Sequence, residues 1–307
     1  MWLTLDQGYW LTLLLAAPAA VFLIRLFVIQ HDCGHHSYFA TRLANDLVGR
    51  GISVLTLTPY DYWRSTHATH HATSGNLDRR GIGDIMTLTV REYVALSPMR
   101  QRLYRLYRSP FILFVLVPTV LFVVLRRLPI EAPAHRRAAL ISILSNNLAL
   151  AIVTAGMIAL IGPLDFVKIQ LPIMVIASTI GVWLFFVQHQ FELGYWRTDD
   201  EWDFQAAALQ GSSYLHLPKP LQWLTANIGL HHVHHLSSRI PNYRLQACID
   251  RLPELSRGAR HLDMKGSLKC APLALWCEDS GRLIRFRDLA RRARTAGAVP
   301  RRQPAAL

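Results

Sequence analysis

Residues 9–29 form an almost unbroken apolar run, YWLTLLLAAPAAVFLIRLFVI, whose one charge, Arg25, lies near its end. About 20 mainly apolar residues is the length of an α-helix that crosses hydrocarbon. In hydrocarbon the backbone has no water to bond, so such a run is confined to a helix that satisfies its own N–H and C=O groups. Arg25 is close enough to the end to snorkel to the interface. Two further runs qualify, residues 140–161 and 169–187, the first interrupted by a polar patch at Ser142, Ser145, Asn146 and Asn147. Only GPLDFVK separates them, which predicts a helical hairpin. Charged residues make up 17% of the chain, below the usual quarter. The chain reads as an all-α integral membrane protein with few transmembrane helices and a sizeable polar cap. No basic stretch precedes the first run, as a cleaved signal peptide would require.

Two weaker runs are read as re-entrant or interfacial. Residues 43–60 contain Asn45, Asp46 and Arg50, and residues 110–125 are short with Pro118 in the middle. Arg100, Arg102, Arg105 and Arg108 precede the second run; Arg126, Arg127, Arg136 and Arg137 follow it. If it spanned, one basic cluster would lie outside, against the positive-inside bias. The expectation is a hairpin broken at Pro118 with both clusters cytosolic. Residues 31–108 and the cap, residues 188–290, then share the cytosolic face. EWDFQAAALQ reads as a helix start in that cap, and residues 291–307, RRARTAGAVPRRQPAAL, as a disordered basic tail. The net charge of +13 fits this topology, and no nucleic-acid motif accompanies it. Cys33, Cys248, Cys270 and Cys277 lack CxxC spacing and read as reduced cytosol-side thiols.

The 14 histidines are grouped. His31 and His35 are four apart. His67, His70 and His71 follow the i, i+3, i+4 pattern, and His231, His234 and His235 repeat it. On helices these spacings place the rings on one face. With His189 in VQHQF, the groups are able to converge. Imidazole suits iron, copper, zinc and nickel. Eight or nine rings exceed what one ion takes and fit two ions with four or five ligands each. Ligating rings need their second nitrogen held by a partner; Asp32, Asp61, Asp84, Glu192 and Asp203 are candidates. Asn227, four before His231, is read either as holding a metal-bound water or as capping a turn. His36 and His232 fall one residue off the faces and are read as bystanders. His135 and His261 are assigned to the surface, and His216 to the non-ligands.

HDCGH, HATHH and HHVHH, in this order and separated by membrane segments, resemble the three histidine boxes of integral-membrane fatty acid desaturases. The flanks TPYDYWRSTHATHHATSGNLDRRGIGD, WLFFVQHQFE and NIGLHHVHHLSSRIPNYRL are similar to the bacterial acyl-lipid branch, and the likeness covers residues 10–290. The resemblance implies two irons bound by His31, His35, His67, His70, His71, His231, His234 and His235, with His189 as a ninth ligand. It implies O2 as co-substrate and a cis double bond introduced into a lipid-linked acyl chain. It also places the protein in the inner membrane of a bacterium, with the active site on the cytosolic face. In that family a further membrane helix commonly precedes the one leading into the first box, whereas this sequence begins at MWLTLDQGYW.

Desaturation removes hydrogens from an unactivated CH2–CH2 pair, which no side-chain acid or base accomplishes at neutral pH, so the oxidant comes from metal and O2. A tunnel beside the metals would set the reacting carbons. Tyr60, Tyr62, Trp63, Trp183, Phe185 and Phe186 are candidates for its wall, and Arg64, Arg79 and Arg80 for contacts with a head group or an acidic donor. No flavin, haem or ferredoxin motif is present, which implies a separate electron donor, ferredoxin-like or a cytochrome with its reductase. The competing readings are a hydroxylase or ketolase on the same scaffold, a non-catalytic metal-binding membrane protein, and a haem electron carrier.

Overall fold

The computed structural model describes residues 1–130 and 136–298. His135 and residues 299–307 lie outside the described residues. Helix α1, Tyr9–Gly34, carries the first apolar run and ends one residue before His35. Helix α2, Arg42–Leu55, starts at Thr41, whose side chain accepts from the Ala44 N–H at 3.2 Å. Helix α3, Tyr60–Thr73, follows after a short turn. Helix α4 is Pro98–Tyr107, and helix α5 is Val117–Val123, preceded by a π-helical turn at Ile112–Leu116. Helices α6, Arg136–Ile161, and α7, Pro163–His189, form the hairpin.

Among the described residues three helices are long and apolar enough to cross a membrane, α1, α6 and α7, or four if the bent pair Pro98–Tyr107 and Ile112–Arg127 is one span. The first three contain the expected spans and extend beyond them. The hairpin turn is tighter than GPLDFVK suggested. Gly162 alone breaks the helix at φ +81°, where a side chain would be strained, and Pro163 starts the next helix with the φ it favours. Leu144, Leu148, Ile152 and Leu160 of α6 are exposed, as a lipid-facing surface requires. Helix α2 is turned the same way, burying Asn45, Gly49 and Ser53 while exposing Leu43, Leu47 and Leu55.

The segment between α4 and α5 corrects one expectation. The chain bends by 63° between Pro98–Tyr107 and Ile112–Arg127, so the break lies at residues 108–111 and not at Pro118. Pro118 has no N–H to give, and the π-helical turn just ahead of it widens the hydrogen-bond ladder there, so the helix continues. Both ends of the segment are tied to neighbouring elements by arginines. Arg108 is buried and donates to the Met86 and Leu273 carbonyls. Arg127 donates to the Leu57 carbonyl and to the side chains of Asn146 and Asn147. The polar patch inside α6 thereby finds its purpose. Asn146 also donates to Ser53 Oγ at 2.8 Å, and Ser142 Oγ accepts from the Asp61 and Tyr62 N–H groups at the start of α3.

The cap is built of short helices and loops, helical over less than half of its residues, and among the described residues it carries two small sheets, one of them shared with the strand at residues 88–89. Strands β1, Leu88–Thr89, β4, Leu275–Cys277, and β5, Arg282–Ile284, form one in the order β1-β4-β5; β2, Ser213–Leu215, pairs in parallel with β3, Arg260–Leu262. The core cluster runs from α1 and α7 (Ala20, Ile24, Ala177, Leu184) through Phe186, Phe191 and Trp196 to Trp276 in the cap. The tail expectation changes at its start: Phe286–Ala298 is helical, with residues 291–298 continuing it.

Candidate metal centre

Three chain segments meet at one end of the membrane helices. The end of α1 supplies His31 and, one turn on, His35; α3 supplies His67, His70 and His71. Helix α8, His231–Leu236, supplies the third set, followed by helix α9, Asn242–Arg251. With His189 at the last turn of α7, the rings form two groups. His31, His35, His67, His71 and His234 make one, and His70, His189, His231 and His235 the other; within each, one ligand atom per residue lies within 4.8 Å of the rest. All nine sequence candidates are brought together.

The two triplets divide between the groups in complementary fashion. In α3 the i, i+4 pair, His67 and His71, joins the first group while His70 joins the second. In α8 the i, i+4 pair, His231 and His235, joins the second while His234 joins the first. Residues four apart lie nearly above one another on a helix, and the residue at i+3 sits to one side, so each triplet reaches two centres.

The geometry fits metal ions. Nε2 atoms of neighbouring rings stand close: His71 to His67 at 3.1 Å, His234 to His71 at 3.1 Å, His70 to His189 at 3.2 Å, His231 to His189 at 2.9 Å and His235 to His231 at 3.1 Å. A metal–nitrogen bond of about 2.1 Å sets neighbouring donors roughly 3 Å apart. His35 Nε2 is buried without a hydrogen-bond partner, a cost that an ion removes. Burial first, and then the crowding of rings, holds His35, His67, His71, His231, His234 and His235 well below the ordinary imidazole range. These rings are therefore neutral, the form that ligates.

Two of the acidic candidates hold the rings. His31 Nδ1 donates to Asp32 Oδ1 at 3.0 Å, and Asp32 Oδ2 accepts from the N–H and side-chain amide of Asn242 at 2.6 and 2.8 Å. His70 Nδ1 donates to Asp84 Oδ1 at 2.6 Å. Each carboxylate fixes the tautomer that leaves Nε2 free for an ion. The other candidates are corrected. Asp61 pairs with Arg50, because it lies on the first turn of α3, facing α2. Asp203 caps the helix Phe204–Gln210 by accepting from the Ala206 N–H. Glu192 pairs with Arg282. Asn227 sits at φ +57° and donates to the Asn242 carbonyl, so it shapes the turn, and among the described residues it makes no hydrogen bond to a ring of either group. Asn242 was not anticipated; its signal was the NYRL flank that begins seven residues after His235. His36 binds Asp46 and Arg64, His216 pairs with His261, and His232 packs on Tyr214.

A cavity of about 270 Å³ reaches these groups at His31, His67 and His231. Leu23 and Phe27 of α1, Leu113 and Leu121 around α5, and Met174 and Gly181 of α7 are among the apolar residues lining it. Trp63 and Phe185 line it as expected, whereas Tyr60, Tyr62, Trp183 and Phe186 do not. Trp183 and Phe186, three apart, share the other face of α7 and pack on Phe114; the cavity takes the stripe Met174, Ala177, Ser178, Gly181, Phe185. Tyr60 turns to donate to the Cys33 carbonyl at 2.7 Å.

The family model described as fatty acid desaturase matches residues 8–263. A "Fatty acid desaturase" of Bacillus subtilis is 44% identical over 288 residues, covering 94% of this chain and 81% of the relative. Two proteins of Synechocystis are more distant. An "sn-1 acyl-lipid omega-3 desaturase (ferredoxin)" is 28% identical, covering 78% of this chain and 66% of the relative. An "sn-1 oleoyl-lipid 12-desaturase" is 29% identical, covering 74% and 64%. The chain thus spans just under two thirds of the length of these cyanobacterial relatives. With two histidine groups at the end of its membrane helices and a match over most of its length, the chain belongs to the fatty acid desaturase family, whose members are oxidoreductases.

Proposed function

We propose that the protein is an O2-dependent desaturase that introduces a cis double bond into a lipid-linked fatty acyl chain. The observation that carries this reading is the apolar cavity between membrane helices with metal-group histidines at one end of it. Two irons bound by the nine histidines would supply the oxidising power that an unactivated CH2–CH2 pair demands. In the overall reaction two hydrogens of the acyl chain, two donor electrons and two protons reduce O2 to two waters.

The chain's own residues do the positioning. Phe27, Leu113, Leu121 and Phe185 enclose the acyl chain and exclude water, while Trp63 and Thr66 border it beside His67. Asp32 and Asp84 keep a proton on Nδ1 of His31 and His70, one ring in each group. Parity supports a cap on the cytosolic face of a bacterial inner membrane: α1 leads into the histidines, α6 and α7 leave and return, and the segment at residues 108–127, tied at its ends by Arg108 and Arg127, is read as not crossing. Electrons come from a separate protein; the name of one Synechocystis relative carries ferredoxin, which supports an iron–sulfur donor.

A hydroxylase or ketolase would use the same site and is separated by product mass, a gain of oxygen against a loss of two hydrogens. A merely metal-holding protein has no need of the cavity. The deciding experiment is expression in a bacterium with a donor supplied, followed by fatty-acid profiling of the lipids. Iron-loaded protein that yields no new double bond would sink the proposal.

A further inference from the structure

Resting on that reading, we infer that electrons reach the metal groups through Tyr214 and His232, from a docking surface for an acidic one-electron protein donor around His216 and His261. Both end histidines are exposed and face each other across β2 and β3, with His216 Nε2 and His261 Nδ1 2.7 Å apart. Tyr214 stacks on His216 with ring centroids 3.8 Å apart and planes at 25°. Its ring lies 5.5 Å from that of His232, at 31°. His232 is fully buried and joined by one peptide unit to His231, a member of the second metal group. Ring contacts thus lead from the surface to His232, and the backbone carries the last step to His231. Among the described residues no hydrogen bond joins Tyr214 to either neighbouring ring, so this route suits electrons and not protons.

The surface around its outer end fits one kind of partner. Lys219, Arg251, Arg257, Arg260 and Lys265 are exposed, and among the described residues none makes an ion pair. Arg50, Arg64, Arg79, Arg80, Arg91 and Arg282 each meet a carboxylate, whereas Arg42, Arg100 and Arg102 on other elements are, like this set, exposed without an ion pair among the described residues. Nearby, Asp250, Glu254 and Asp263 bring negative charge, Asp263 close enough to act on His216 and Asp250 on Tyr214, so the five cations stand against three carboxylates and leave the patch positive. Free positive charge beside an exposed ring pair steers a small acidic donor such as an iron–sulfur protein. In each docking the donor's cluster is oxidised by one electron and the metal pair reduced by one; two dockings supply one turnover.

The test uses the full-length, iron-loaded protein in lipid discs, mixed with reduced plant-type [2Fe–2S] ferredoxin. The ferredoxin's own absorbance reports its oxidation. Tyr214→Leu is expected to lower the rate at saturating ferredoxin by an order of magnitude, while Tyr214→Phe, which keeps the ring, retains it. Because Tyr214 also packs on the Leu230 and Val233 core, His216→Ala repeats the test at the exposed end, and the rate should again fall. Arg257→Glu with Arg260→Glu should raise the half-saturating ferredoxin concentration severalfold and flatten its salt dependence, leaving the saturating rate unchanged. Dithionite, small enough to need no docking, should reduce every variant alike. Wild-type saturating rates in both Tyr214→Leu and His216→Ala, in protein that dithionite reduces, would overturn the path alone. A wild-type centre that dithionite cannot reduce would overturn the iron reading and this inference with it.

Discussion

Asp32→Asn keeps the size and shape of the side chain and removes its charge, which makes it a sharp test of how the first histidine segment is held. The carboxylate is almost fully buried and accepts three hydrogen bonds, one from His31 Nδ1 and two from Asn242. An asparagine has one oxygen and one NH2, so both of its orientations fail. With the oxygen toward His31, the NH2 meets the two donors of Asn242, and two buried donors lose their acceptor. At about 1–3 kcal/mol each, the loss is roughly 2–6 kcal/mol. With the NH2 toward His31, Nδ1 must accept, the ring proton moves to Nε2, and the nitrogen that faces the ion is blocked. Loss of such a partner typically weakens metal binding about 10–100-fold, or roughly 1.4–2.7 kcal/mol. The assay is iron retained per chain after gel filtration against a chelator, paired with a thermal melt in detergent. Asp200→Asn, at an exposed position, is the control. Wild-type iron content and melting temperature in Asp32→Asn would refute the argument that this carboxylate sets the tautomer of His31.

His70→Ala leaves three rings in its group and His234→Ala leaves four in the other, so His70→Ala should retain less iron, as measured by elemental analysis; equal retention would contradict the grouping. Gly181 lines the cavity, and a Cβ there meets nothing within 4 Å, so Gly181→Leu should fold and bind iron normally yet lose most desaturation in lipid profiles. At Gly49 a Cβ would lie 2.2 Å from the Tyr60 ring. Gly49→Ala should therefore cost about 1–3 kcal/mol, the usual penalty of overpacking, seen as a lower melting temperature. Burial pushes the Cys270 thiol up to about 11; it stays protonated below that pH, so iodoacetamide at pH 8 should label half-buried Cys248 and spare Cys270 in native protein, as peptide mass spectrometry would show.

The histidine pattern was legible because helical spacing is a local property: His67, His70 and His71 must share a face wherever α3 goes. What spacing leaves open is which ring serves which ion, since that depends on how α3 and α8 face each other. The carboxylates illustrate the same limit. Asp32 and Asp84 could not be told from Asp61 and Asp203 by sequence distance, because the choice is made by Arg50 on a neighbouring helix and by a helix start that needed a cap. The cavity wall was harder still. Helix α7 is apolar all round, so nothing in its sequence distinguishes the Trp183–Phe186 face from the Gly181–Phe185 face until Phe114 packs against the former. Pro118 misled for a local reason, since a π-helical turn absorbed the missing donor that was read as a break.

Because each triplet serves both groups, the two ions share the same pair of helices. Capturing the first ion aligns α3 against α8, and that alignment presets the remaining rings for the second. The ordering cost falls on the first binding event, and the second proceeds on a scaffold already fixed. Loading should therefore be all-or-none: during a metal titration the population passes from empty to doubly filled, with few singly loaded molecules between. A cell short of the metal would hold a smaller number of complete centres, and few with one ion missing.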